Sequence, residues 1–476
     1  MDSTRRDFLL EMMSVAASSV TAGTNRELPE IRLAIAGCGG AGRETAGWLQ
    51  RNAKKFLGRS VMIAALCDIF DGQIRMLNAG QREKIECACY RDYFEMIEKE
   101  RGKLDGVFIC TPDSFHCGQA VAALENGISV YCELPLAESA ESARKIMAAA
   151  KRTGQRLFCP LDTLGTSPIR NYLAEKIVGE SRLIGKLRYL LSHYTFRESG
   201  KDPVEKIEKR NALLLEKGRC DMETLHRYGY DSPHEWRQWR QYRKFGLGEL
   251  LRMDYRLCLL YLFFIRDTPK ALHLSGARSA SGVPTQIPII RQYMFGTEED
   301  TLLVEQVLQR NEFFDLMLFG ENGIVHIPSL ERNIRVKWSP MGNKTQELIR
   351  AWDQAAVNGT LGPRVDKDWG DMCDEMSILE HSSNPDRQEI ERLKQVFATY
   401  SGETDAWALP PKLLEERVDC YFADSPRKAF LEEVMGEPGK ETAATLAFHA
   451  QVMVDAVEKA STGNGTFIFK PEMFAY

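Results

Sequence analysis

The sequence predicts an α/β chain in two parts. A doubly wound domain with a parallel sheet lies on the N-terminal side. An α+β domain with a large, open and mostly antiparallel sheet follows it. Three observations predict this. Short apolar strands alternate with helical patterns up to about residue 160, a glycine-rich turn joins the first strand to the first helix, and longer strand-like runs then follow one another. Alternation requires parallel pairing through right-handed crossovers, whereas uninterrupted strands suit antiparallel or mixed pairing. At 476 residues the chain is too long for one ordinary domain and comfortable for two.

The first strand is Ile31–Ala36, and a helical pattern runs from Arg43 to about Lys55. A second strand covers Val61–Cys67 and ends on Asp68. Helix Asp92–Glu100, strand Gly106–Cys110, helix Gly118–Asn126, strand Ile128–Cys132, helix Glu141–Arg152 and strand Arg156–Pro160 continue the alternation. The boundaries are a leader or tail at 1–28, the first domain at 29–160 and the second at 161–476. In the second domain a helix is expected at about 168–178. Candidate strands there are Leu187–His193, Lys270–Ala277, Ile289–Phe295, Thr301–Gln309 and Phe313–Phe319. Asn322-Gly323 is a hairpin turn before Ile324–Ile327. Residues 331–430 are polar, with helical pieces and a loop around Leu409-Pro410-Pro411. Helix Lys440–Ala460 is ended by Gly463-Asn464-Gly465.

Apolar residues make up 44% and charged residues 27%, enough for a sizeable core. A formal net charge of -5 argues against a nucleic-acid partner and against a polybasic membrane surface. No apolar run reaches the ~20 residues of a membrane span. The 12 cysteines include no C-x-x-C pair, so no metal site is expected, and they read as buried free thiols. Ser3-Thr4-Arg5-Arg6-Asp7-Phe8-Leu9 reads as a twin-arginine export signal, and Val20-Thr21-Ala22 offers small residues to a signal peptidase. The alternative is a tail on a cytoplasmic protein.

The turn itself is Gly37-Cys38-Gly39-Gly40-Ala41-Gly42, between a strand and a helix. That context makes G-x-G-x-x-G a dinucleotide signature rather than a chance glycine turn. Gly37 permits the tight turn, Gly39 lets the backbone approach a pyrophosphate, and Gly42 lets helix and strand pack closely. The helix N-terminus offers N–H groups and partial positive charge to phosphates. Asp68 follows Gly42 by 26 residues, near the ~20 expected for the acid that accepts from the adenosine ribose. A carboxylate there repels a 2′-phosphate, so NAD is expected over NADP.

Further motifs carry a resemblance. Thr111-Pro112-Asp113-Ser114-Phe115-His116 ends the next strand, and Tyr131-Cys132-Glu133-Leu134-Pro135-Leu136 comes two elements later. Gly229-Tyr230-Asp231-Ser232-Pro233, Trp236, Trp239 and Arg243-Lys244-Phe245-Gly246 precede a central stretch, and Phe469-Lys470-Pro471-Glu472-Met473-Phe474 closes the chain. Together these resemble the Gfo/Idh/MocA oxidoreductases over roughly residues 30–476. The resemblance implies a Rossmann domain, a second domain whose open sheet forms a homo-oligomer contact, and NAD(P)-linked chemistry on a sugar, cyclitol or related polyol. It adds Thr111, Pro112, His116, Glu133 and Pro135 to the cofactor site, with His116 capping the nicotinamide side.

The family's catalytic positions are substituted. Its E-K-P lysine is Leu134 here. In the stretch matching D-x-G-x-H-x-x-D, Arg252 replaces the first Asp, Asp254 the Gly, Arg256 the His and Leu259 the last Asp. Leucine has no proton to exchange, and arginine stays protonated, so neither is a base. Arginine can clamp an anion. Three readings remain open: an oxidoreductase with another proton-handling residue or an acidic substrate held by Arg252 and Arg256, a non-catalytic dinucleotide- or sugar-binding subunit, and a glycosidase-like relative that uses NAD transiently. Asp162, Asp254, Tyr255 and His193 are candidates near the substrate, each with a structural role as its plain alternative. The catalytic residues are unassigned.

Overall fold

Six parallel strands form the first sheet of this computed structural model: β1 (Ile31–Ala36), β2 (Val61–Cys67), β3 (Ala88–Tyr90), β4 (Gly106–Ile109), β5 (Ser129–Cys132) and β6 (Leu157–Phe158). Their order, β3-β2-β1-β4-β5-β6, is that of a doubly wound nucleotide-binding domain. Helices α1 (Gly40–Trp48), α2 (Asp71–Ala79), α3 (Tyr93–Lys99), α4 (Asp113–Glu125) and α5 (Ala140–Thr153) make the crossovers. The structure describes residues 30–53, 60–160, 186–196, 203–265, 267–276, 289–295, 301–309, 313–321, 323–327, 335–338, 426–434 and 442–476, with a few scattered positions besides. The Arg5-Arg6 leader, Asp162, the helix expected at 168–178 and the loop at Leu409-Pro410-Pro411 lie outside them.

Local chemistry explains several boundaries. Asp92 accepts from the Glu95 N–H at 2.9 Å and starts α3. Ser139 caps α5, and Gly154, at φ +70°, ends it in the left-handed region. Helix α4 begins at Asp113, five residues before the expected Gly118. Pro112 stands just outside the helix, where its missing N–H costs nothing, and Asp113 suits the positive end of the first turn. Strand β6 shrinks to two residues, and β3, with three, is too short to show a periodicity.

Among the described residues the second sheet has eight strands. They are β7 (Leu187–Phe196), β8 (Pro269–Gly276), β9 (Ile289–Phe295), β10 (Thr301–Gln309), β11 (Phe313–Gly320), β12 (Gly323–Ile327), β13 (Arg335–Trp338) and β14 (Thr466–Ile468), in the order β13-β12-β11-β7-β10-β9-β8-β14. Among the described residues only the β7–β10 pair is parallel, so the sheet is mostly antiparallel as expected. Between β7 and β8 the chain builds four helices that the sequence reading did not place: α6 (Val204–Glu216), α7 (Met222–Arg227), α8 (Pro233–Arg237) and α9 (Gly248–Ile265). Two of them are too short to show periodicity, and their signal is the caps, Asp221 and Ser232. Two further helices follow late in the chain, α10 (Pro426–Val434) and α11 (Thr442–Thr462). No described helix is long and apolar enough to cross a membrane.

Helix α9 packs on the buried face of the second sheet. Tyr261 Oη donates to Ser192 Oγ at 3.0 Å, and the buried Arg291 pairs with the buried Asp254 at 2.7 and 3.0 Å. Strand alternation then puts His193, next to Ser192, on the opposite face. Helix α10 solves a different problem. Right-handed crossovers place α1 and α2 on one face of the first sheet, leaving β4, β5 and β6 uncovered there. Phe430 of α10 fills that gap, with ring centroids 5.2 Å from Phe108 and 5.7 Å from Tyr131. Arg427 anchors the same helix to α1, donating to Thr45 Oγ1 at 3.0 Å and Glu44 Oε1 at 3.2 Å.

Candidate functional site

The glycine turn closes where strand order reverses, between β1 and β4. Gly37 has φ +89°, and a Cβ there would lie 2.6 Å from the Cys110 carbonyl oxygen. A Cβ on Gly42 would strike the Gly37 carbonyl oxygen. Both glycines are therefore required by packing within the protein itself. Gly39 and Gly40 differ, because a Cβ on either would meet nothing within 4 Å. Their backbone borders open space, as a cradle for a phosphate requires. Helix α1 starts at Gly40 with no side-chain cap and no acidic residue in its first turn, so its first N–H groups are left for a ligand.

That space is a cavity of about 690 Å³. On the β2 side Asp68, Gly72, Arg75 and Met76 line it; on the β4 side Thr111, Pro112, Phe115, Trp239 and Arg240 do. Leu214, Lys217, Arg219, Tyr228 and Trp236 of the α6–α8 segment form a further wall. Phe70, after β2, meets the Trp236 ring edge-on at 4.9 Å, which joins that wall to the first domain. The Asp68 carboxylate accepts from the Cys38 N–H at 2.9 Å and the Phe70 N–H at 3.0 Å. Each oxygen keeps a lone pair for a ribose hydroxyl. Burial pushes this carboxyl up to about 6, while the two N–H bonds and Arg43 act the other way. Cys38 and Cys67 beneath the turn are buried thiols, pushed up chiefly by burial and then by Asp68, so they are inert packing groups, as the composition suggested.

At the β4 side the predicted residues divide. Thr111 Oγ1 donates to Gln119 Oε1 at 2.6 Å. Both ring nitrogens of the buried His116 lie 2.9 Å from carbonyl oxygens, of Pro135 and Thr111. The ring thus ties the loops after β4 and β5 together. The Leu134–Pro135 peptide is cis, and the Glu133 N–H bonds to the Ile109 carbonyl at 3.0 Å.

Arg252 is not a free clamp. It pairs with the buried Asp113, donates to the Leu134 carbonyl at 3.0 Å and lies 4.9 Å from the Trp239 ring centroid. The Asp113 carboxylate also accepts from the Leu247 N–H at 3.3 Å, and a Cβ on Gly246 would collide with it. Tyr255, expected toward the substrate, is fully buried, its hydroxyl donating to the Ala447 carbonyl at 2.8 Å and accepting from the Leu136 N–H at 3.3 Å. Helical geometry turns Leu259 inward too, and only Arg256 is exposed. Asp254 is spent on Arg291, and His193 lies across the sheet from α9. Arg43, Asp113 and Arg240 at this cleft were not singled out as site residues by sequence. Their only signal was position: one after the last glycine, one inside T-P-D, one beside Trp239.

Residues 31–160 match the Gfo/Idh/MocA oxidoreductase family, described by its NAD-binding Rossmann fold. The chain is 32% identical over 122 residues to inositol 2-dehydrogenase of Salmonella typhimurium, covering 26% of this chain and 34% of that enzyme. It is 35% identical over 81 residues to D-glucoside 3-dehydrogenase of Escherichia coli, covering 16% of this chain and 23% of that one. The chain thus spans about a third or less of the length of these curated relatives. Among solved structures, levoglucosan dehydrogenase with NADH and L-sorbose aligns with a TM-score of 0.58 at 13% identity, over 93% of this chain and 100% of that one. The WlbA dehydrogenase of Bordetella pertussis with NADH and UDP-GlcNAcA gives 0.55 at 12%, over 93% and 98%. At such identities the likeness shows a shared two-domain fold.

Proposed function

We propose that this chain, whose residues 31–160 match the Gfo/Idh/MocA oxidoreductase family, binds NAD in the cleft between its glycine turn and the α6–α8 segment and acts by hydride transfer on an acidic or carbonyl-bearing relative of a sugar or cyclitol, with a non-standard proton-handling site. The observation that carries this reading is the open cradle at Gly39 and Gly40, bordering a cavity with Asp68 on its wall. Gly39, Gly40 and the start of α1 would hold the pyrophosphate, Asp68 the adenosine ribose, and Thr111 and Pro112 the nicotinamide side. NAD supplies the hydride acceptor. The protein must position the substrate and take up the hydroxyl proton. A placed base typically contributes ~10²–10⁴-fold to such a step. Leu134 cannot be that base, and Arg252 is occupied by Asp113.

A second reading, a non-catalytic dinucleotide-binding subunit, is favoured by that last contact. Arg252 reaches the carbonyl of Leu134, the position where the family carries its lysine. A glycosidase-like reading needs hydride and proton steps as well, and meets the same loss.

Titration calorimetry with NAD and NADP tests the cofactor, and NAD is expected to bind more tightly. A screen of NAD reduction tests the chemistry. Neutral sugars and cyclitols are expected to give no turnover, and Leu134→Lys alone should not restore it, since the partner His and Asp are missing. Brisk oxidation of a neutral sugar by the wild type would refute the lost-base reading. Absence of binding to either dinucleotide would refute the function itself.

A further inference from the structure

Two thiols outside the cleft differ from the rest. Cys89 lies in β3, the outermost strand of the first sheet, and Cys87 stands just before that strand. Against the expectation of buried thiols, Cys89 is exposed and Cys87 half-buried. Residues two apart on an extended chain share a face. Here the Cys89 thiol turns back to donate to the Cys87 carbonyl at 3.7 Å, and the two thiols are hydrogen-bonded to each other. Cys87 packs against the core cluster that holds Leu66 and Trp48, so one sulfur is anchored and the other faces solvent. Neither residue lines the dinucleotide cavity.

Three uses of such a pair compete. A disulfide is poorly served, because extended residues two apart have Cα atoms roughly 6.6 Å from each other, at the far end of the span that a disulfide closes. A nucleophile needs a thiolate. Burial, and after it Cys89, push the Cys87 thiol up to about 12, while the Leu66 N–H acts the other way. A metal ion set between the sulfurs needs a wider separation than a bond does, which suits the extended spacing. Zinc and iron–sulfur clusters call for four ligands, and among the described residues no cluster of three or more His, Cys, Asp or Glu side chains is present. Copper(I) is soft, favours thiolates and, with a closed d shell, is satisfied by two ligands in line.

We propose that Cys87 and Cys89 form a two-coordinate site for copper(I) at the edge of the first sheet, separate from the dinucleotide cleft. Binding forms one Cu–S bond to each cysteine and releases both thiol protons. The copper stays in the +1 state and no electron is transferred. The site is independent of the reading of the cleft.

The test is an anaerobic titration of the reduced full chain with copper(I), in competition with a chromophoric copper(I) chelator. Wild type is compared with Cys89→Ser, Cys87→Ser and, as a control thiol, Cys117→Ser, with circular dichroism and the melting temperature reporting folding. Wild type should hold one more copper(I) ion per chain than Cys89→Ser, and Cys117→Ser should keep that ion. Changes outside the ligand set already weaken metal sites by ~10–100-fold, so losing one of two ligands should weaken this one by about a hundredfold or more. X-ray absorption at the copper edge should show two sulfur neighbours and no nitrogen. Equal copper retention by wild type and folded Cys89→Ser, a third ligand on the copper, or displacement of the copper by zinc(II) would each overturn the proposal. Cys89 is exposed, so its replacement decides the matter even where Cys87→Ser fails to fold.

Discussion

Asp68 sits between opposing influences. Burial raises its carboxyl from the ordinary 3.8 to about 6, and two backbone N–H groups hold the charged form. Above about 6 the group is ionised and, with the adenosine ribose at the proposed place, would repel a 2′-phosphate. Below it the group is neutral, and that repulsion is gone. Preference for NAD over NADP should therefore fall as pH drops through about 6, measured as the ratio of the two dissociation constants between pH 5 and 8. A flat ratio would mean that Asp68 does not meet the ribose. For folding the sign runs the other way: a raised carboxyl favours the folded state at low pH, and this contribution is lost as pH rises from 3.8 to about 6. The glycines separate in the same manner. Gly39→Ala should fold normally and lose dinucleotide affinity, because its Cβ meets only open space. Gly42→Ala should lower the melting temperature first, because its Cβ meets the Gly37 carbonyl. Equal stability loss in both variants would contradict the assignment of Gly39 to the ligand.

At the scale of elements, one carboxylate joins the two domains. Asp113 opens α4 of the first domain, pairs with Arg252 of α9 and accepts from the turn at Leu247. Asp113 is 1% exposed and the Arg252 side chain 17%, so the pair is largely out of water. Removing one partner of a buried pair strands the other charge and costs about 3–5 kcal/mol. Arg252→Ala should destabilise the protein by that order in a denaturant titration, whereas a loss below ~1 kcal/mol would mean the pair is solvated. The motif position was legible in the sequence. Its role was not, because Asp113 and Arg252 meet only when α4 and α9 pack.

For the whole molecule, the second sheet has one face under α9 and α11 and another that carries apolar side chains. Met294 and Leu302 are direct partners across β9 and β10, and they are 42% and 37% exposed. Apolar pairs on an open sheet face suit a self-complementary contact. Light scattering should give a mass that is a multiple of the 54.0 kDa chain. Replacing both Met294 and Leu302 by Asp should bring the mass down to one chain. A wild-type mass of one chain would refute the contact.

The sequence by itself determined the first domain, its glycine turn, Asp68 and most strands of the second sheet, because strand periodicity and turn chemistry are local. It also put Leu134, Arg252, Arg256 and Leu259 where the resemblance expects a lysine, a histidine and acids, since a substitution is visible wherever a motif is. Only the tertiary structure decided what the substitutes do. Arg252 is locked, Tyr255 is a buried tie and Leu259 faces inward, because burial and pairing depend on how α9 meets α4 and β5. The covering of β4, β5 and β6 by Phe430 was equally hidden. It rests on a contact between residues some three hundred positions apart, and no window along the chain contains both.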